Sequence, residues 1–293
     1  MKPPSTPPFN TDDTHDTHGI AAKAAVTGVR PAFPARFKAG TQTPSALQLI
    51  AAPARAASAN GQNYSKNTLQ GSVFDGFGLG PAVRARMVRK LAAQGVCDAQ
   101  VLAAMGAVER HRFVDTALAG LAYEDTSLPL GLGQTISRPG VVARMLGLLR
   151  QSLVEGTGRL GRVLEIGTGC GYQAALLSHL ATEVYSIERL RGLHDRAREN
   201  LRGLRLANVH LLFGDGMAGF AKGAPYAAII AAAGGTEIPA AWLEQLAVGG
   251  RLVAPLQDAS GAQALVVIDK TPQGIRRTLL EAVHFVPLKS GTN

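Results

Sequence analysis

Three glycines that follow a short apolar segment are the residues best suited to hold a ligand. Gly167, Gly169 and Gly171 form a G-x-G-x-G pattern after the apolar segment 163–166, and a helix-forming segment begins at Gln173. A strand, a glycine turn and a helix in this order open a nucleotide-binding βαβ unit, where glycine lets the backbone approach the ligand closely. Ordinary strand-to-helix turns also use glycine, so this pattern alone leaves both interpretations open.

An acidic residue at the end of the next apolar segment favours the ligand-binding interpretation. Glu188 ends the segment 183–188, a position from which a carboxylate can accept hydrogen bonds from both hydroxyls of a ribose. The dinucleotide pattern is G-x-G-x-x-G, and here Tyr172 occupies the position of its third glycine. An adenosine ligand without a pyrophosphate therefore suits this sequence better, and an NAD-dependent dehydrogenase is disfavoured.

The polar segment 125–139 is a second candidate for ligand contact. It combines glycine and proline with hydroxyl and amide side chains, and an amphipathic segment that predicts a helix follows it. We expect a loop that is too polar for a core strand and whose side chains close over a ligand. The simpler interpretation makes Ser137 the N-cap of the helix, with Pro139 in its first turn, and both interpretations are compatible.

The remaining segments alternate between strand and helix patterns, which predicts an α/β fold. Two helices, beginning at Pro81 and after Asp98, predict a small N-terminal helical subdomain. Segments 264–269 and 276–288 are separated by turn residues and predict a hairpin. We therefore expect a doubly wound, mostly parallel sheet of Rossmann-like type with an antiparallel edge.

Two details near the carboxyl ends of the predicted strands concern the site. Asp215 lies between two glycines, where it either accepts a hydrogen bond from an adenine amino group or only holds a turn. A helix that begins at Pro239 is predicted to include Leu246 and to end at Gly249–Gly250, before a strand over 251–256.

The composition of the chain excludes several classes of protein and partner. The chain has 293 residues, a net charge of +9 and two cysteines, which do not make a disulfide framework and fit a reducing compartment. Its basic residues are dispersed among acidic ones, so we expect a solvated surface and no nucleic-acid partner. No apolar segment approaches the roughly 20 residues of a membrane helix, and we expect no membrane association.

The first 78 residues differ from the rest. They are rich in proline, alanine and polar residues without periodicity, which predicts a disordered, low-complexity extension over 1–78 and a folded domain over 79–293. His15 and His18 lie near aspartates, but no further ligands accompany them and we expect no metal site. No apolar segment follows Lys2, so we expect no secretory signal at the start of the chain.

Five motifs, in order along the chain, resemble the protein-L-isoaspartate O-methyltransferase family. They are LPLGLGQTIS at 128–137, EIGTGCGYQ at 165–173, GDG at 214–216, GGRL at 249–252 and FVPL at 285–288. The resemblance covers roughly residues 79–288. Its most specific part is the Gly-Gln-Thr-Ile-Ser sequence, because many S-adenosylmethionine methyltransferases share the glycine turn.

The resemblance implies that 79–293 is a methyltransferase catalytic domain with S-adenosyl-L-methionine as its cofactor. The family transfers a methyl group to the free α-carboxylate of L-isoaspartyl residues in damaged proteins or peptides. The ester cyclises to a succinimide, which starts the repair. A soluble cytoplasmic enzyme, acting as a monomer, is the simplest expectation.

The resemblance also implies roles for single residues. Ser137 matches the active-site serine, which we expect to be catalytic. The residues expected to bind the cofactor are Gln134, Thr135, Ile136, Glu165, Gly167, Gly169, Gly171, Glu188, Asp215 and Gly216. Because a carboxylate is ionised at neutral pH, no strong general base is required, and we expect Ser137 to orient the acceptor through one hydrogen bond.

Three positions depart from the family pattern. Cys170 replaces a serine, Ala227 replaces an aspartate, and 231–235 is richer in alanine and glycine. We expect the last two on the acceptor side, where they would affect substrate handling more than cofactor binding. Two alternatives therefore remain: a methyltransferase for another acceptor, such as a small molecule or nucleic acid, and a non-catalytic cofactor-binding protein on the same fold.

Overall fold

The computed structural model describes residues 80–153 and 158–293, which form a seven-stranded sheet, a two-stranded sheet and packed helices. The α-helices are α1 (Pro81–Ala93), α2 (Ala99–Ala107), α3 (Pro139–Arg150), α4 (Tyr172–Leu180), α5 (Arg191–Arg202) and α6 (Ala240–Gln245). The strands are β1 (Leu128–Gly131), β2 (Gln134–Ile136), β3 (Leu160–Ile166), β4 (Ala181–Glu188), β5 (Val209–Phe213), β6 (Tyr226–Ala231), β7 (Leu246–Gln257), β8 (Gln263–Thr271) and β9 (Gly274–Val283).

The large sheet has the order β5-β4-β3-β6-β7-β8-β9. The five strands from β3 to β7 pair in parallel, whereas β8 and β9 pair antiparallel to their neighbours. The expected doubly wound, mostly parallel sheet with an antiparallel edge is therefore confirmed. Because β4 and β6 flank β3 on opposite sides, the strand order reverses at β3, and ligands of such sheets bind at the carboxyl ends beside this point.

Hydrophobic residues lie on both faces of the sheet. Successive strand side chains point to opposite faces, so Val163 joins one buried cluster and Leu164 the other. The first cluster also contains apolar residues of α3, α4 and the N-terminal helices, and the second contains Trp242 of α6. Burial on both faces explains why the parallel strands read as continuous apolar segments in the sequence.

The N-terminal helices are formed as predicted. Pro81 is the first residue of α1, and the Asp98 carboxylate caps α2 by accepting hydrogen bonds from the N–H groups of Gln100 and Val101. Their buried face packs on α4, where the Tyr172 hydroxyl donates to Met105 Sδ over 3.7 Å. The helical subdomain thus supports the helix that follows the glycine turn.

The segment 125–139 differs from the predicted loop. It contains the hairpin β1–β2, in which Pro129 pairs with Thr135. Ser137 is not the N-cap of α3, because Arg138 occupies that position without a capping side chain. The helix start is held instead by Asp125, whose carboxylate accepts a hydrogen bond from the Gly140 N–H over 2.7 Å.

Two boundaries near the end of the chain were predicted wrongly. Helix α6 ends at Gln245, and Leu246 already pairs with Tyr226 as the first residue of β7. The glycines 249–250 lie inside β7, where a register irregularity and the positive φ of 84° at Gly249 mark a bulge. The last strand ends at Val283, before Pro287 forms an isolated bridge with Gly234.

Residues 1–79 lie outside the described residues, so the predicted extension, its boundary and the expectation for His15 and His18 stay predictions. In the part of the chain that the structure describes, no helix is long and apolar enough to cross a membrane.

Candidate functional site

The glycine turn links β3 to α4 at the carboxyl edge of the sheet. Gly167, Gly169 and Gly171 have φ angles of 88°, 57° and 89°, a backbone region that residues other than glycine rarely adopt. A Cβ atom on Gly171 would lie 3.0 Å from Leu201 Cδ1, so this glycine permits close packing of α5. Gly167 and Gly169 instead line a cavity. The third glycine therefore has a packing role and the first two face the ligand space.

Glu188 lies at the end of β4, beside this turn. Its Oε2 accepts a hydrogen bond from the Gly169 N–H over 2.9 Å, and its Oε1 accepts one from the Leu190 N–H over 2.9 Å. The two backbone donors fix the carboxylate at the cavity wall. Because each carboxylate oxygen can accept more than one hydrogen bond, Glu188 retains capacity for the two hydroxyls of a ribose.

The cavity above the glycine turn has a volume of about 230 Å³. Six of the ten residues expected to bind a cofactor line it: Gln134, Thr135, Gly167, Gly169, Glu188 and Gly216. Its walls also include apolar side chains of Ile166, Ile187, Leu190 and Leu193. An acidic group, exposed backbone and apolar walls suit the ribose, the polar chain and the base of an adenosyl ligand. We call this the cofactor cavity.

Glu165 is expected in the cofactor site, but it lies beneath the turn. It is fully buried, and the Ser186 hydroxyl donates to its Oε2 over 2.5 Å, while Ser186 and Thr168 share a hydrogen bond of 2.6 Å. Burial raises the pKa of Glu165 to about 8, against the opposing influence of the Ser186 hydroxyl and the Gln173 amide. Glu165 is therefore mostly protonated at neutral pH and supports the turn from below.

Asp215 holds a turn, and it also binds the C-terminal segment. Its Oδ1 accepts a hydrogen bond from the Met217 N–H over 2.8 Å, which caps a short 3-10 helix. Its Oδ2 accepts one from the Gly291 N–H over 2.7 Å. Asp215 thus ties down the C-terminal segment, while the neighbouring Gly216 lines the cofactor cavity. A Cβ atom on Gly216 would lie 2.6 Å from Ile166 Cγ2, which explains the glycine.

Residues near the C-terminus form a wall that sequence reasoning missed. The residues 286–289 and Asn293 line the cofactor cavity. The Asn293 N–H donates to the Arg189 carbonyl over 2.9 Å, and the Arg191 N–H donates to the Asn293 carbonyl over 2.8 Å. The FVPL motif was the available signal, because it contributes to the family resemblance, but it carried no assigned role.

The hairpin β1–β2 forms the opposite wall. The Arg196 guanidinium on α5 donates to the Leu130 carbonyl over 2.8 Å and anchors the hairpin above the turn. Gln134 and Thr135 line the cofactor cavity, whereas Ile136 is buried in the hydrophobic core. Leu132 at the hairpin tip also lines the cavity, although the residue is 64% exposed and has a φ of 53°.

Ser137 lines a separate cavity of about 410 Å³, which we call the acceptor cavity. It lies between the start of α3 and the end of β9, and its lining residues are Ser127, Ser137, Arg138, Val141, Ala282, Val283, His284 and Phe285. Beside it, Arg144 Nε on α3 and Glu281 Oε1 on β9 form an ion pair of 2.7 Å. The Ser137 hydroxyl has no hydrogen-bond partner among the described residues and is free to contact a ligand.

Two departures from the family pattern, Ala227 and the segment 231–235, lie at opposite ends of β6. Ala227 is at the amino end of β6, where a Cβ atom on Gly161 would lie 3.0 Å from its side chain, so it is remote from the acceptor cavity. Ala232 and Ala233 line the cofactor cavity. Neither Ala227 nor the alanines at 232–233 line the acceptor cavity, and the expectation that these departures affect substrate handling stays a prediction.

Cys170, the third departure, is buried in the glycine turn. Burial raises the pKa of its thiol to about 11, so the side chain is protonated at neutral pH. Within residues 80–153 and 158–293, no group of three or more histidine, cysteine or acidic side chains is placed to hold a metal ion.

Three comparisons place this geometry among known proteins. The family model described as "Protein-L-isoaspartate(D-aspartate) O-methyltransferase" matches residues 82–293. A protein-L-isoaspartate O-methyltransferase from Leptothrix cholodnii is 59% identical over 232 residues, which cover 78% of this chain and 81% of that protein.

Two solved structures have a similar fold. A protein-L-isoaspartate O-methyltransferase superposes with a TM-score of 0.63 at 27% identity, over 71% of this chain and 66% of that one. A structure from Plasmodium falciparum that contains S-adenosyl-L-homocysteine superposes with a TM-score of 0.61 at 24% identity, over 70% of this chain and 98% of that one.

Proposed function

This chain belongs to the protein-L-isoaspartate(D-aspartate) O-methyltransferase family, and we propose which of its residues perform the family's reaction. The enzyme transfers a methyl group from S-adenosyl-L-methionine to the free α-carboxylate of L-isoaspartyl residues in damaged proteins. The ester formed there cyclises to a succinimide, and this begins the repair.

The residues of the cofactor cavity fit S-adenosyl-L-methionine. Glu188, fixed by two backbone N–H groups, would hold the ribose hydroxyls, and the backbone at Gly167 and Gly169 leaves room for the ligand. Gln134 and Thr135 would contact it from the hairpin side. When bound, the cofactor supplies an activated methyl group on a sulfonium sulfur.

Ser137 would position the acceptor. Strand β2 has Gln134 and Thr135 at the cofactor cavity, and Ser137 follows this strand at the acceptor cavity. This adjacency is the observation that carries the proposal, because methyl transfer requires donor and acceptor to meet in line. The Ser137 hydroxyl donates one hydrogen bond to the isoaspartyl carboxylate, which is ionised at neutral pH and needs no proton removed.

The test compares two peptides that differ only in one residue, L-isoaspartyl in one and L-aspartyl in the other. Transfer of label from methyl-labelled S-adenosyl-L-methionine is followed, together with release of labelled methanol in base. Base-labile label on the isoaspartyl peptide alone is the expected result. Equal labelling of both peptides, or base-stable label, would contradict carboxylate methylation of isoaspartyl residues.

A non-catalytic protein on the same fold is separated by a second measurement. Such a protein would bind S-adenosyl-L-homocysteine in calorimetry and still leave the isoaspartyl peptide unlabelled. The Ser137 hydroxyl is unpaired among the described residues and lines the acceptor cavity, which favours the enzyme over this alternative.

The oligomeric state and the cellular location of the enzyme are proposed from the same family resemblance. We propose that the enzyme acts as a monomer in the cytoplasm, without nucleic acid. Both cysteines, Cys97 and Cys170, are free thiols, which suits a reducing compartment. Light scattering would measure the mass in solution, and cell fractionation would locate the protein. A stable dimer or a periplasmic location would contradict this part alone.

A further inference from the structure

Arg138 is the one arginine, lysine or acidic residue among the residues that line the acceptor cavity. It is exposed and follows Ser137 directly, and its guanidinium forms no hydrogen bond or ion pair with any described residue. The other lining residues carry hydroxyl, apolar or imidazole side chains. The cavity that receives the acceptor therefore has a fixed positive charge at its wall and no carboxylate there.

The acidic groups nearest to this wall are already paired. Glu281 binds Arg144 through two hydrogen bonds of 2.7 and 3.4 Å, and Asp125 accepts the hydrogen bond from the Gly140 N–H. Neither carboxylate contacts Arg138. Its guanidinium thus remains available to a negatively charged group of a ligand, and a guanidinium has donors that match a carboxylate well.

The ligand is a polypeptide segment with an isoaspartyl carboxylate, so two kinds of carboxylate compete as partners. The reacting one must lie near Ser137 and face the cofactor cavity. Arg138 follows Ser137 directly in the chain, and both residues line the acceptor cavity. With the reacting carboxylate held at Ser137, the guanidinium of Arg138 is left for the residues that flank the isoaspartyl residue.

We propose that Arg138 is a specificity-determining residue that selects isoaspartyl residues with an acidic side chain close by in the sequence. This inference rests on the proposed role of the acceptor cavity. The pair is exposed to solvent, so its effect is modest. We expect a preference of about three- to five-fold for an acidic over a neutral neighbour at low salt, and less at high salt.

The experiment uses three isoaspartyl peptides that are identical except for one neighbour, which is glutamate, glutamine or lysine. The full-length protein should give the highest kcat/KM for the glutamate peptide and the lowest for the lysine peptide. Arg138→Gln should bring the glutamate and glutamine peptides to equal kcat/KM, whereas Arg138→Lys should retain most of the preference.

A matched control removes one positive charge elsewhere. Arg198 is exposed on α5, outside both cavities, and Arg198→Gln changes the net charge by the same amount. It should keep the preference for the glutamate peptide. Loss of the preference in Arg198→Gln as well would assign it to the overall charge of +9 and overturn the role of Arg138.

Two further results would overturn the inference. The preference for glutamate over glutamine could persist in Arg138→Gln, or this variant could lower kcat/KM equally for all three peptides. The second result would place Arg138 on the reacting carboxylate.

Failure of the proposed function is recognised separately. Binding of the three peptides to protein loaded with S-adenosyl-L-homocysteine is measured by calorimetry and needs no methyl transfer. An absence of labelling with a retained, Arg138-dependent preference in binding would refute the function and uphold the specificity. Equal binding of the glutamate and glutamine peptides would refute the specificity.

Discussion

The carboxylate of Glu188 and the backbone N–H of Gly169 are joined by a hydrogen bond of 2.9 Å. This bond links the end of β4 to the glycine turn after β3, and the second oxygen of Glu188 links the same point to the Leu190 N–H before α5. The Glu188 side chain thus holds the glycine turn and the start of α5, and these two hydrogen bonds in turn fix its carboxylate at the cofactor cavity.

Glu188→Gln should therefore weaken cofactor binding. The substitution removes a charge, and the amide nitrogen of glutamine cannot accept a hydrogen bond, so the N–H of either Gly169 or Leu190 loses its acceptor. A hydrogen bond to a charged group contributes about 1.5–3 kcal/mol, so we expect the Kd for S-adenosyl-L-homocysteine to rise roughly 10- to 100-fold in calorimetry.

Glu183 on the same strand provides the control for this variant. It lies at the surface, where it pairs with Arg162 over 2.9 Å, and it lines neither cavity. Glu183→Gln should leave the Kd for S-adenosyl-L-homocysteine unchanged. A similar rise in both variants would show that loss of negative charge on β4, and not the position of Glu188, weakens binding.

Ser137→Ala should lower turnover while cofactor affinity stays nearly the same. The hydroxyl lines the acceptor cavity and not the cofactor cavity, and its single hydrogen bond to a carboxylate contributes about 1.5–3 kcal/mol. We expect kcat/KM for an isoaspartyl peptide to fall roughly 10- to 100-fold. Ser127→Ala removes another hydroxyl from the same cavity and should cause a far smaller loss. A collapse of cofactor affinity in Ser137→Ala would contradict its role.

The strand–turn–helix unit and the antiparallel edge could be predicted because their signals are local. Alternating glycines and an apolar strand pattern fix the turn at Gly167, and a turn sequence fixes the hairpin β8–β9. Local sequence patterns did not predict elements that depend on strand pairing between distant parts of the chain, or strands too short to show a period. The strands β1 and β2 have only four and three residues, too few to show a period, and Leu246 joins β7 because Tyr226 pairs with it.

The same distinction applies to the site. Glu188 ends a strand and could be placed from the sequence, whereas the contact of Asp215 with Gly291 joins residues 76 positions apart. The burial of a side chain also cannot be predicted from its neighbours in the sequence. Glu165 is only two positions before Gly167, yet its side chain lies beneath the turn and not in the cavity. The sequence motif therefore predicted candidate site residues, but not which of them line the cofactor cavity and which lie beneath the turn.

Leu132 offers a test of strain at the cofactor cavity. Its φ of 53° lies in the left-handed region, which costs roughly 1–2 kcal/mol for a residue other than glycine. Glycine in the same place loses about 0.5–1 kcal/mol through the entropy of the unfolded chain, so Leu132→Gly should raise the free energy of unfolding slightly. It should also weaken binding of S-adenosyl-L-homocysteine a few-fold, because an apolar wall is lost.

Arg205 is the matched control, since it is the other described residue besides glycine with a positive φ, at 49°. Arg205→Gly should give a similar gain in urea denaturation and leave the Kd for S-adenosyl-L-homocysteine unchanged. If Leu132→Gly gained stability without any loss of affinity, Leu132 would be strained without contributing to the site.

The buried carboxyl of Glu165 should make stability depend on pH. Burial raises its pKa in the folded protein from the usual 4.5 to about 8. Between these values the unfolded chain releases the proton and the folded protein keeps it, so the folded state binds more protons and the free energy of unfolding falls as pH rises. The slope from this group is at most about 1.4 kcal/mol per pH unit, and it vanishes above about pH 8.

Glu165→Gln removes this dependence, because the amide has nearly the shape of the protonated acid and does not titrate. Urea denaturation at pH 5, 6.5 and 8 should show the variant gaining in stability relative to the unmodified protein as pH rises. Glu244→Gln on α6, where the side chain is exposed, should follow the unmodified protein at all three values. A constant difference between Glu165→Gln and the unmodified protein across this range would mean that Glu165 is ionised in the folded state.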